Sequence, residues 1–291
     1  VVGSGPAGLT CASYLARKGY SVTIYESLPV AGGMLAAGIP AYRLPREALN
    51  WDIEQIRAMG VKIELNTTIG KDLSLSDLQE NFDAVFLGIG AWKSAPLGIP
   101  GEQFDGVIPA LDLLKTINLG GSIEVPKRAV ILGGGNAAMD AARTLLRLGS
   151  EEVNIVYRRT RSEMPAIPEE IEDTEKEGII FHYLMAPLEI VGSDQGKVKA
   201  IKLQRMRLGE FDRSGRRKPV PIEGAEMILE CDMVVPAVGQ MPYIDVLGGG
   251  LQTDHRGNVS VNHYTLLSSL PGVFAGGDMI GADATVVNAM A

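Results

Sequence analysis

The sequence predicts an α/β chain built from two copies of one strand–helix–strand fold, nested so that the second copy interrupts the first. Three observations lead there. Gly3, Gly5, Gly8 and Gly19 are matched by Gly133, Gly135, Ala138 and Gly149 at a constant offset of 130 residues. Each glycine-rich turn follows apolar β-branched residues and opens a helix-like stretch that ends on glycine. The strand-like segments 83–90 (DAVFLGIG) and 232–239 (DMVVPAVG) then repeat the same apolar run ending on glycine.

The elements follow in order. Residues 1–26 read as a βαβ unit. Residues 31–34 and 38–45 are dense in glycine and proline and read as loop. Residues 46–59 carry helical spacing in Ala48, Leu49, Ile53, Ile56 and Met59, closed by Gly60. Residues 61–65 alternate as a strand, and 83–90 read as a buried parallel strand. Residues 129–159 repeat the βαβ unit, 168–177 form a helix and 179–184 return as a strand. Residues 187–229 form an antiparallel excursion with hairpin signals at 194–196 and 214–215. Residues 272–278 return as a strand ending in Gly-Asp, with a helix beginning near Ala284. The domains are therefore expected at 1–118, 119–245 and 246–291, the last returning to the first, each domain with a central parallel sheet and an antiparallel excursion.

A glycine turn between strand and helix lets backbone approach a pyrophosphate, and the helix N-terminus supplies N–H groups and positive dipole. What differs between the copies is the group at the end of the next strand. Glu26, 21 residues after Gly5, suits the hydroxyls of an adenosine ribose and repels a 2′-phosphate. In the second copy Tyr157 takes that place, followed by Arg158 and Arg159, which suit a phosphate. The contrast points to a flavin at the first turn and NADP(H) at the second. Asp278, after its strand, suits a ribityl hydroxyl, and a helix from Ala284 and Thr285 would aim its N-terminus at the flavin's pyrimidine edge.

Composition narrows the classes. With 46% hydrophobic and 21% charged residues the chain is of ordinary globular type, and its net charge of −8 argues against nucleic acid or an anionic membrane as partner. No run of 18 apolar residues is present. Two cysteines, Cys11 and Cys231, lie far apart in apolar surroundings, without the C-x-x-C of dithiol reductases and too few for an iron–sulfur cluster. They read as inert cysteines of a reducing cytoplasm. His182, His255 and His263 have no ligand spacing, so no metal is expected. Only Val1 and Val2 precede Gly3, and the last residues read as opening turns of a helix; the expectation is an excerpt of a longer polypeptide.

The motifs resemble the two-dinucleotide flavoprotein superfamily, and more closely the family of the NADPH-oxidising small subunit of glutamate synthase. Its relatives include the flavin subunit of an electron-bifurcating ferredoxin:NADP oxidoreductase and the flavin half of dihydropyrimidine dehydrogenase. The matching stretches are GSGPAGL (3–9), GGM (32–34), GIPAYRLP (38–45), GGGNAAMDAAR (133–143), VYRRTRSEMPA (156–166), AVGQ (237–240) and AGGD (275–278). The resemblance implies FAD held by Gly3, Gly5, Gly8, Glu26, Gly33 and Asp278, and NADP(H) held by Gly133, Gly135, Asn136, Ala137, Arg158 and Arg159. Pro6, Ala7, Met34, Arg43, Gly90, Gly239, Gly277, Ala284 and Thr285 complete the expected contact set. Hydride transfer between these cofactors needs alignment more than acid–base chemistry, so no catalytic side chain is nominated. Electrons would pass to an iron–sulfur domain or subunit outside these residues, and a large catalytic subunit is a further candidate partner. The competing reading from another class is a non-catalytic FAD-binding structural subunit.

Overall fold

In a computed structural model that describes residues 1–212, 215–281 and 285–291, the leading glycine turn delivers the chain into α1 (Pro6–Arg17). Pro6, with its fixed φ and missing N–H, sits at the helix start, and Leu9 and Ala12 turn inward. β1 (Thr23–Tyr25), α2 (Met34–Ala37), α3 (Arg46–Ala58), β2 (Lys62–Glu64), α4 (Leu75–Asn81), β3 (Val85–Leu87) and β4 (Lys93–Ser94) follow. β1 pairs in parallel with β2, and Val2 bridges both Tyr25 and Leu87, standing between β1 and β3. Leu9, Ala12, Ile24 and Ile53 pack into one core on this unit, and Val2, Leu75, Val85 and Leu87 into another.

Next come α5 (Ala110–Asn118), β5 (Arg128–Leu132), α6 (Asn136–Leu148), β6 (Glu152–Tyr157), α7 (Pro168–Lys176) and β7 (Ile180–Tyr183). β8 (Met185–Gly192), β9 (Val198–Phe211), β10 (Arg217–Glu230) and β11 (Met233–Pro236) complete this stretch. One sheet runs β11-β5-β6-β7, all parallel, and a second runs β10-β9-β8, antiparallel. From Ala129 onward β5, like β11, reads as an unbroken apolar run because both faces are covered. Ala129, Ile131 and Ile155 pack with the apolar sides of α5 and α6, while Val130, Leu132 and Val156 pack against Ile190, Ile201 and Leu203 of the antiparallel sheet. β12 (Gln240–Met241), β13 (Val273–Ala275) and α8 (Val286–Met290) finish the chain, with β13 parallel to β3.

The chain divides into one unit of 1–93 with 240–291 and another of 94–239. This moves the expected boundaries at 118/119 and 245/246. The first shift follows from α5, whose Ala110, Leu113 and Leu114 are buried in the second unit's core. The antiparallel layer also belongs to the second unit; in the first, isolated antiparallel bridges join Thr253 with Val259 and Leu267 with Phe274. The hairpin signal at 194–196 closes the β8–β9 turn, where Gly196 N–H donates to the Ser193 carbonyl at 2.9 Å. Ser214 of the other signal, and Ala284, lie outside the described residues. No helix among the described residues is long and apolar enough to cross a membrane.

An arginine cluster holds α6 to α7. Arg143, 7% exposed, bonds Glu170 at 2.6 Å and Glu177 at 2.8 Å, and Arg147 bonds Glu177 at 2.6 Å. Arg147 first, then Arg143, holds the Glu177 carboxyl down at about 2, from an ordinary 4.5. Because the folded value is the lower one, this contribution is complete above pH 4.5 and fades as pH falls toward 2. Arg143→Ala leaves acids uncompensated against α6 and is expected to destabilise the fold by about 3–5 kcal/mol. Urea unfolding at neutral pH and again near pH 3 checks this, the difference between variant and parent shrinking in acid.

Candidate functional site

The first glycine turn is shaped by contacts that only glycine permits. Gly3 has φ of 94°, and a Cβ there would lie 2.6 Å from the Gly88 carbonyl oxygen; a Cβ on Gly8 would lie 1.9 Å from the Gly3 oxygen. At Gly5, by contrast, a Cβ would meet nothing within 4 Å. The turn is packed on its protein side and open where a ligand would approach. No side chain caps α1, which keeps its first-turn amides for that ligand. Gly33, at φ of 55°, passes so near that its Cβ would lie 2.7 Å from the Gly5 Cα.

Ser4 ties this turn together. Fully buried, it donates its backbone N–H and its hydroxyl to Glu26 Oε2 at 2.8 and 2.5 Å, and its Oγ accepts from Gly32 N–H at 3.1 Å. Glu26, 4% exposed, also accepts from Leu28 N–H at 2.8 Å and from the Ser27 hydroxyl at 3.2 Å. The carboxylate is thus fixed at the end of β1, beside the glycine turn. The loop 35–44 is fixed in turn by Arg46, whose guanidinium donates to the carbonyls of Leu35, Ile39 and Leu44 at 2.8, 2.7 and 3.3 Å. Met34 opens α2, with its Sδ 2.1 Å from where a Cβ on Gly38 would sit, and Arg43 N–H donates to the Pro40 carbonyl at 3.0 Å.

Asp278 arrives beside the same turn. Gly277, at φ of 72°, packs so closely on α1 that its Cβ would lie 3.0 Å from Ala7 Cβ. Asp278 Oδ1 is buried with no hydrogen-bond partner among the described residues, and burial pushes its carboxyl up. A native fold rarely leaves such an oxygen orphaned, so this one fits a ligand hydroxyl. Gly90, at φ of 71°, ends the strand-to-loop run after β3, and Thr285 caps α8 by accepting from Asn288 N–H at 3.2 Å.

The second turn repeats the first with one exchange. A Cβ on Gly133 would lie 2.4 Å from the Ala237 oxygen, and one on Gly135 would find only Pro165 at 3.9 Å. Where the first copy has Ser4 bonded to Glu26, the second has Gly134 under the Tyr157 ring, 2.6 Å from the position of a Cβ. The Tyr157 hydroxyl donates to the Glu163 carbonyl at 2.7 Å. Segment 160–167 folds back over the turn: Thr160 and Glu163 cap one another, Ala166 N–H donates to the Gly134 carbonyl, and Ile167 N–H donates to Asn136 Oδ1 at 3.0 Å. α6 has no side-chain cap, and Ala137 stands half-buried in its first turn.

The two arginines part company. Arg158 is exposed, whereas Arg159 is 4% exposed and bonded to Asp212 and to the Arg217 carbonyl, both at 2.7 Å. Gly239, at φ of 137°, ends the loop after β11. Within the first unit the structure brings together Gly3, Gly5, Gly8, Glu26, Gly33, Gly277 and Asp278; within the second it brings together Gly133, Gly135, Asn136 and the end of β6. Ser4, Arg46 and Asp212 escaped the sequence reading. Ser4 alone had a signal, a hydroxyl inside the glycine turn of the copy that carries an acid. His182 bonds Asn154 Oδ1 at 2.8 Å, and burial lowers its pKa; His255 and His263 are exposed. Both cysteines are free: Cys231 is buried and its thiol is pushed up to about 12, while Cys11, expected to be inert by burial, is only half-buried. No group of three or more His, Cys, Asp or Glu side chains among the described residues could hold a metal.

A family model described as pyridine nucleotide-disulphide oxidoreductase matches residues 1–291. The chain is 49% identical to the NADP(+)-dependent formate dehydrogenase subunit beta of Moorella thermoacetica, an alignment covering 100% of this chain and 41% of that protein. It is 42% identical to the NADPH-Fe(3+) oxidoreductase subunit beta of Geobacter sulfurreducens, covering 99% of this chain and 47% of the relative. The glutamate synthase [NADPH] small chain of Escherichia coli is 36% identical, with 100% of this chain and 65% of that one covered. This chain thus spans about half the length of the first two. Among solved structures, Mycobacterium tuberculosis FprA in complex with NADPH superposes with a TM-score of 0.80 at 21% identity, over 99% of this chain and 81% of that one, a likeness of fold.

Proposed function

The chain belongs to the pyridine nucleotide-disulphide oxidoreductase family, and from that premise we propose that it is the flavin- and NADP(H)-binding module of an NADPH-dependent oxidoreductase. The observation that carries the reading is the exchange between the two glycine turns: Ser4 with buried Glu26 in one, Gly134 with Tyr157 and exposed Arg158 in the other. FAD is assigned to the first turn. Gly5 leaves room for its pyrophosphate, Glu26 takes the ribose and the unpartnered Asp278 Oδ1 takes a ribityl hydroxyl. NADP(H) is assigned to the second turn, with Gly135 open to the pyrophosphate and Arg158 to the 2′-phosphate.

When bound, the flavin supplies hydride acceptance and the change from two-electron to one-electron transfer. This chain's residues bind, orient and discriminate. Ser4 and Arg46 hold the acid and the 35–44 loop in place, and the 160–167 segment closes over the second turn. Relatives named as beta subunits or small chains support a partner subunit, and the reading is completed by delivery of electrons to an iron–sulfur domain or subunit outside these residues. Stopped-flow mixing of the FAD-loaded chain with NADPH under anaerobic conditions tests the reading. Rapid bleaching of the flavin band is expected, faster than with NADH at equal concentration. A flavin that binds yet is not reduced by either nucleotide would leave a structural FAD-binding subunit in its place.

A further inference from the structure

Arg159 follows the exposed Arg158 directly, yet its guanidinium is already engaged by protein. Its Nε–H donates to the Arg217 carbonyl and its Nη2–H to Asp212 Oδ2, each at 2.7 Å, and its own carbonyl accepts from Leu184 N–H at 3.0 Å. Asp212 in turn closes the end of the β9–β10 hairpin. Its N–H donates to the Arg216 carbonyl at 2.7 Å, its Oδ1 accepts from Arg216 N–H at 3.2 Å, and its carbonyl accepts from Gly215 N–H at 3.0 Å. One oxygen of the carboxylate therefore shapes the hairpin end and the other fastens it to the exit of β6. The fastening spans 53 residues of sequence and joins two elements that share no sheet. It brings the exposed Arg217 and Lys218 of the hairpin to the residue that follows Arg158, in a chain whose net charge is −8.

We propose that Arg159 is a positioning residue rather than a phosphate ligand: with Asp212 it holds the hairpin end beside Arg158, so that hairpin and strand exit together form one basic rim selective for an adenosine 2′-phosphate. The proposal rests on the NADP(H) reading of the second turn. It makes Asp212, an acid, a requirement for binding an anion. A fork fits this task because two donors must reach two acceptors at fixed separation, which an ammonium cannot do.

The test is calorimetric titration of the FAD-loaded chain with adenosine 2′,5′-bisphosphate and, in parallel, with 5′-AMP. The parent chain binds the bisphosphate more tightly. Asp212→Asn and Arg159→Lys each lose about tenfold for the bisphosphate, the equivalent of one charged hydrogen bond, with 5′-AMP unchanged. The double variant is no worse than either single one, because both remove the same fastening. If Arg159 is a ligand instead, Asp212→Asn binds the bisphosphate as well as or better than the parent, and Arg159→Lys keeps most of its affinity; either result overturns the positioning role. Should Asp212→Asn fail to fold, judged by its melting curve, Arg159→Lys decides alone. Equal binding of both nucleotides by the parent overturns the 2′-phosphate reading itself.

Discussion

Arg158→Ala is expected to weaken NADPH binding about 10–100-fold, the loss of one or two charged hydrogen bonds at roughly 1.5 kcal/mol each, while NADH binding hardly changes. The argument starts from exposure. Arg158 is exposed at the end of β6, so its removal leaves no buried group unpaired and the fold is untouched. Its neighbour differs on this point, since truncating Arg159 would strand the Asp212 carboxylate and loosen the hairpin. Arg158→Lys should recover part of the loss, because an ammonium still attracts phosphate but cannot fork. The whole effect should shrink as ionic strength rises, since the charge faces solvent. KM values for NADPH and NADH in flavin reduction, at low and at physiological salt, check these outcomes. Equal losses for the two nucleotides would remove Arg158 from the 2′-phosphate.

The repeat and its two readers were legible because glycine geometry is written into single residues. At Gly3 and Gly133 any Cβ would strike a carbonyl oxygen, of Gly88 and of Ala237, so the spacing of these glycines follows from the turn itself. The strand cores were legible for a related reason: Ala129, Val130, Ile131 and Leu132 are all buried, so the sequence shows an unbroken apolar run. The helices α4 and α5 were not assigned, although each had a signal. Ser74 and Asp77 make a capping box before Leu78, and residues 110–118 carry Leu111, Leu113 and Leu114 behind Pro109. Both are short and lie between stronger motifs. Missing α5 is what displaced the domain boundary, since the helix packs on α6, later in the chain.

The site was less legible than the fold where function depends on contacts far apart in sequence. Nothing local marks Asp212 as the partner of Arg159, because the pairing exists only once β9 and β10 have formed. Arg46 was hidden differently. It stands in the first turn of a helix and looks like an ordinary solvated cation, yet its guanidinium collects three carbonyls of the preceding segment and burial lowers its pKa. Loop carbonyls have no sequence signature, so an arginine that organises them cannot be told in advance from one that faces water.

Glu26→Ala and Glu26→Gln should both yield protein depleted in FAD, and the glutamine variant is the more telling. The carboxylate accepts the Ser4 backbone N–H on one oxygen and the Leu28 backbone N–H on the other, each at 2.8 Å and both buried. An amide has one accepting oxygen, so either orientation sets its NH2 against one of these N–H groups. Alanine leaves both amides and the Ser4 hydroxyl proton without an acceptor, at about 1–3 kcal/mol for each buried group. Set against a total stability of about 5–15 kcal/mol, that is enough to loosen the first glycine turn even without a ligand. The flavin then loses its ribose acceptor and the geometry of its pyrophosphate turn together. The second turn has its own strand, helix and reader, so affinity for adenosine 2′,5′-bisphosphate should be unchanged in both variants. Flavin absorbance per chain after purification, and again after incubation with added FAD, checks the first outcome, and calorimetry checks the second. Full yellow occupancy in Glu26→Gln would take Glu26 out of the flavin site, and parallel loss of bisphosphate binding would show that the damage is to the whole chain rather than to one turn.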